Sequence, residues 1–169
     1  AEYAGLFGSI NDAEITGVVV QGTVVSTNTN NGDAGGIVGR AIGTTNKIIN
    51  CGNEAAVSGG CNVGGILGNN QAYNTKITVL NCYNMGHISA SDRAGGIVGR
   101  CGGSSLSVTN CYNTGEITSN NYAAGVIAGS NFGWTVSNCY NTGKISGKSQ
   151  TNTGAFTTSD SDAASNNFY

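Results

Sequence analysis

The chain has 169 residues, a net charge of −2, 9% charged side chains, 28 glycines and no proline. Typical soluble domains carry about 25% charged residues, so this weakly charged chain lacks the basic patch expected of a nucleic-acid binder. No apolar run approaches the roughly 20 residues of a membrane-spanning helix, and the length suits one domain with a sizeable core.

The chain opens AEYAG, with neither Met nor an apolar leader, and reads as a mature or excised fragment. Gly5 then starts a series. The heptapeptide AGGIVGR stands at residues 34–40 and again at 94–100, and aligning on its second glycine gives Gly5, Gly36, Gly65, Gly96, Gly125 and Gly154, in steps of 29 or 31. Each is followed by an apolar pair, from Leu6-Phe7 and Ile37-Val38 through Ile66-Leu67, Ile97-Val98 and Val126-Ile127 to Ala155-Phe156. A second signature keeps step. It is degenerate in ITGVVV, where Val18 stands at the cysteine position, then reads NCGN at 50–53 and NCYN at 81–84, 110–113 and 138–141, and ends in Asn167-Phe168-Tyr169. Residues 1–169 are thus read as one domain of five repeats and a partial sixth.

Each repeat holds three short β-prone runs between Gly, Asn, Ser and Thr clusters, for example 36–40, 47–51 and 55–58. That pattern predicts an all-β chain folded as a right-handed parallel β-helix (β-solenoid), with about 30 residues and three short strands per coil. Coils stacked at roughly 4.8 Å make a prism about 25–30 Å tall for six turns. Every side chain then sits above its repeat-mate.

Val24, Val57, Ile88, Ile117 and Ile145 form one apolar column, and Ile48, Val79, Val108 and Val136 another; both are predicted core. Between them lie the corners Asn84-Met85-Gly86, Asn113-Thr114-Gly115 and Asn141-Thr142-Gly143, where glycine tolerates positive φ and asparagine bonds neighbouring backbone. Asn84, Asn113 and Asn141 are read as stacked structural amides; the competing reading is a row of amides gripping sugar hydroxyls. Gly36, Gly65, Gly96 and Gly125 are a further structural column. Cys51, Cys82, Cys111 and Cys139 also stack. In-register strands hold Cβ atoms near 4.8 Å, whereas a disulfide wants about 3.5–4.5 Å, so buried reduced thiols are expected. No CxxC pair or histidine cluster accompanies them, and no metal is expected.

Tyr83, Tyr112 and Tyr140 carry two readings. They form an outer strip that docks sugar rings or a partner, or they lie inward as structural rungs. The apolar pairs pose a related question, because strand alternation turns one residue of each pair outward. The resulting contact face is expected to be covered by the variable stretches 41–46 and 69–75.

Catalytic features are thin. Glu14, Asp33, Glu54, Asp92 and Glu116 fall at different repeat positions, so no face collects two carboxylates at catalytic spacing. His87, Glu116 and Lys144 share one solvated column, Asp160 and Asp162 lie in an acidic loop, and no GxSxG, HExxH or P-loop occurs. The chain reads as no enzyme, with no cofactor.

AGGIVG followed by NCYNTGxI at this period resembles the GLUG repeat. The matching residues are Gly36 to Gly39 and their repeats, and Asn110 to Ile117 and theirs; Ala128 in place of Gly39, and the first copy, depart from it. The resemblance implies a stalk or adhesion module of large bacterial surface proteins, including IgA peptidases and adhesins, and carries over no catalysis. The expected location is extracellular or on the cell surface. The expected partners are a host or bacterial surface glycan or protein, or copies of the chain itself; alternatives to the stalk are a glycan-binding module using the tyrosines and a fibre subunit stacking end to end. Neither terminus shows a capping segment, so continuation of the chain or filament stacking is expected there.

Overall fold

The structure, a computed structural model, describes residues 2–70, 74–102, 105–128, 133–148 and 153–157, and the backbone of 164–165. All regular structure in these residues is β. Strands pair only in parallel, each with its equivalents in the coils before and after, which makes a β-solenoid of about five turns.

Each of the first four coils contributes five short strands, not three. In the second coil they are Asp33–Gly35, Val38–Ile42, Thr45–Ile49, Gly52–Asn53 and Ala56–Gly59, each belonging to a different sheet. The runs recognised in the sequence are the second, third and fifth of these. The other two are only three and two residues long, too short for any alternation to show.

The apolar pairs also depart from expectation. Ile37 and Val38 are both fully buried, as are Ile66 and Leu67, and Ile97 and Val98. A bend at residues 36–37 separates Asp33–Gly35 from Val38–Ile42, so the pair straddles a corner rather than alternating along one strand. The expected outward apolar face does not form there, and the pairs need no cover from 41–46 or 69–75 (residues 71–73 lie outside the described residues). Each fully buried Ile, Leu or Val contributes about 1.5–3 kcal/mol.

The corner chemistry is likewise redistributed. Positive φ falls on the asparagine before each of the four stacked cysteines, at 54° for Asn50, 53° for Asn81 and Asn110, and 52° for Asn138. Asparagine tolerates this left-handed conformation better than most side chains. Gly86, Gly115 and Gly143 are not left-handed. A β-carbon there would stand 1.9–2.0 Å from the carbonyl oxygen of the coil before. They are glycine for close approach, not for φ.

Two apolar clusters fill the interior. One contains Ile37, Val38, Ile48, Val79, Val108 and the four stacked cysteines; the other contains Ala34, Val57, Ile88 and Ile117. Along each coil the chain passes between the clusters at Gly36 and again at Asn53, and at the equivalent residues of later coils. All six cysteines are free, and Cys51, Cys82, Cys111 and Cys139 are buried. Each of these four thiols donates to the carbonyl two residues before it, at 3.2–3.3 Å. Hydrogen bonds with Cys139 and Cys82, and then burial, hold the Cys111 thiol well above the usual thiol range.

Candidate functional site

The stacked asparagines form two columns with different exposures. Asn53, Asn84, Asn113 and Asn141 are buried. The Nδ2 groups of Asn53, Asn84 and Asn113 donate to the Oδ1 of the next coil, at 2.7, 2.6 and 2.7 Å, and to the backbone carbonyl two residues on. These amides are spent on one another and on backbone, which leaves none for sugar hydroxyls. The second column, Asn50, Asn81, Asn110 and Asn138, lies on the surface and donates the other way, from each coil to the one before, at 3.0, 3.1 and 3.3 Å. The inner column packs on the glycine column. A β-carbon on Gly36 would stand 2.2 Å from Asn53 Oδ1, and one on Gly96 would stand 2.7 Å from Asn113 Cγ.

The tyrosines point outward, not inward, and they stack on one another. Ring centroids of Tyr83 and Tyr112 are 5.4 Å apart at 10°, and those of Tyr112 and Tyr140 are 5.0 Å apart at 3°. The Tyr83 ring also covers Gly52, where a β-carbon would meet the ring at 2.2 Å, and its hydroxyl donates to Glu54 Oε1 at 3.0 Å. Burial, then the Glu54 hydrogen bond, raises the Tyr83 phenol. Glu54 is lowered by donation from Gln21 and then from Tyr83. Between Tyr83 and Tyr140 the column shows ring edges and hydroxyls, with no free ring face for a sugar to stack on.

Glu116 and Lys144 pair at 3.2 Å in an exposed column, where such a contact contributes at most about 1 kcal/mol. His87 reaches Thr118 Oγ1 at 3.1 Å instead. Asp160 and Asp162 lie outside the described residues. Among the described residues no cluster of three His, Cys, Asp or Glu could hold a metal.

A polar groove lies elsewhere, at the corner between the strands equivalent to Asp33–Gly35 and those equivalent to Val38–Ile42. One wall is a column in register, Tyr3, Asp33, Asn62, Arg93 and Tyr122. The other is Ser9, Arg40, Asn69 and Arg100. All three arginines of the chain therefore gather here. Asp33 is buried and accepts from Asn62 Nδ2 at 2.7 Å and Asn69 Nδ2 at 2.8 Å. Burial raises its carboxyl, against these two amides and Arg40. Arg40 donates to the Tyr3 hydroxyl and lies 4.8 Å from the ring centroid, and Arg93 pairs with Asp92 and lies 5.3 Å from that of Tyr122. A cavity of about 220 Å³ opens between Asp33, Arg40, Cys61, Asn62, Asn69 and Arg100. Burial first, then Asp33 and Asp92, raises the Cys61 thiol.

Sequence reasoning missed this groove because only part of its lining repeats: Arg40 and Arg100 close the two AGGIVGR copies, whereas Asn69 interrupts them and Asp33, Asn62 and Arg93 put three identities at one repeat position. The available signal was the arginine that ends both copies of the heptapeptide.

Residues 120–146 match the family model for the GLUG motif. The chain carries a GLUG repeat. The matched stretch is one full turn, from the corner before Tyr122–Ala124 to the end of Ile145–Ser146. Register lays the preceding coil onto it, with Ala94 beside Ala123, Tyr112 beside Tyr140 and Ile117 beside Ile145. No curated protein and no solved structure matches the chain.

Proposed function

We propose that this GLUG-repeat solenoid is a stiff, non-catalytic spacer or adhesion module of a secreted or cell-surface bacterial protein. The observation that carries the reading is the inner asparagine column, which hydrogen-bonds four successive coils through buried amides with no break. Each coil is locked to its neighbour by strand pairing and by this column, so bending has no hinge to use between those coils. The dispersed carboxylates support a non-catalytic role. The test is labelling of intact cells of the source organism with an antibody against the asparagine–tyrosine face. Labelling without permeabilisation, with lower adhesion when the segment is deleted, supports the proposal; labelling only after permeabilisation overturns it.

A further inference from the structure

We infer that the groove lined by Asp33, Asn62, Asn69 and Arg100 binds a carboxylate-bearing sugar residue, of the uronic-acid type. This goes beyond the spacer reading and does not depend on it.

The charges in the groove are unevenly satisfied. Both Asp33 oxygens accept amide hydrogen bonds, and Glu2, the other carboxylate lining the cavity, accepts from the Tyr3 hydroxyl at 2.9 Å. Arg40 is engaged by the hydroxyl and ring of Tyr3, and Arg93 by Asp92. Among the described residues no hydrogen bond or ion pair engages the Arg100 guanidinium, yet Arg100 lines the cavity. A guanidinium presents a planar fork that matches a carboxylate in a bidentate pair, and a partly shielded cavity strengthens that pair.

The amides set the second requirement. Asn62 and Asn69 spend their Nδ2 groups on Asp33, and their Oδ1 atoms are buried without a partner. Unpaired buried acceptors favour a ligand that brings O–H donors. A fully ionised sulfate satisfies Arg100 and brings none. A neutral sugar brings donors and leaves the guanidinium unpaired. A hydroxylated ring bearing a carboxylate supplies both. Drug-sized ligands occupy pockets of about 300–1,000 Å³, so the cavity of about 220 Å³ takes one ring rather than a longer chain. Asn69 stands in register between Arg40 and Arg100. That places it beside the proposed carboxylate site and next to Asp33.

The test is calorimetric titration of the whole chain with glucuronate, glucose and sodium sulfate. Glucuronate should bind saturably, and glucose and sulfate at least about tenfold more weakly, the loss expected for one charge-assisted hydrogen-bonded pair. Arg100→Gln should lose at least about tenfold for glucuronate at an unchanged melting temperature, and Arg100→Lys should fall between the two. Arg93→Gln, outside the cavity, should bind as the natural chain does. Absence of saturable glucuronate binding, or undiminished binding by a folded Arg100→Gln chain, overturns the site. Sulfate binding as tightly as glucuronate overturns the sugar assignment. None of these results bears on the surface-labelling test of the spacer reading.

Discussion

The side chain of Asn84 occupies the space that a β-carbon on Gly65 would need, since that carbon would stand 2.5 Å from Asn84 Cγ and 2.2 Å from the carbonyl oxygen of Gly96. The two signatures of the repeat are therefore one device. The glycine motif is open so that the amide column can close against it. Gly65→Ala should displace both, and the carbonyl it meets is rigid backbone. Overpacking commonly costs about 1–3 kcal/mol; a loss at or above the top of that range is expected by urea denaturation. A variant as stable as the natural chain would mean that the columns do not touch.

The two asparagine columns should respond in opposite ways. Asn84→Ala leaves a donor on Asn53 and an acceptor on Asn113 buried without a full set of partners, at about 1–3 kcal/mol for each unsatisfied group. Asn81→Gly removes only an exposed amide and suits a φ of 53°, so its stability should stay within about 1 kcal/mol of the natural chain. Comparison of the two denaturation midpoints checks this. Equal losses would contradict the assignment of one column to the interior and the other to the surface.

The period, the apolar columns and the stacked thiols were legible because a solenoid forces each side chain to match the one above it. What the sequence hid has physical reasons. Ile37 and Val38 look like a broken alternation, but they flank a bend, and a bend points neighbours to the same side. Gly52–Asn53 and its equivalents lie between corners with too few residues to show a strand. Gly86 looks like a left-handed turn residue, yet it is small because Ala55 O lies where its β-carbon would go. The groove around Asp33 was invisible for a further reason: Asp33, Arg40, Asn62, Asn69 and Arg100 come from three coils, and apart from the two arginines that end the AGGIVGR copies they share no identity at equivalent positions, so register in space is what brings them together.

Tyr112 stacks on both neighbours, so Tyr112→Ala removes two ring pairs at once. Each such pair contributes about 0.5–1.5 kcal/mol beyond area burial, which predicts a loss of about 1–3 kcal/mol. Tyr140→Ala should lose about half as much. A double-mutant cycle on Tyr83 and Tyr112 measures the pair directly. A coupling energy of zero, with loss of binding to a partner, would return the strip to the docking reading.

Asp33 should give the stability curve a component of definite sign. Burial raises its carboxyl above the ordinary 3.8, so the folded chain holds this proton more tightly than the unfolded one. Its contribution is fully present below 3.8 and is lost as pH rises through the folded value. Asp33→Asn has no such component. Denaturation midpoints measured from about pH 3 to pH 7 should therefore shift against the natural chain, relative to Asp33→Asn, as pH rises. A shift in its favour would mean that the Asn62 and Asn69 hydrogen bonds outweigh burial.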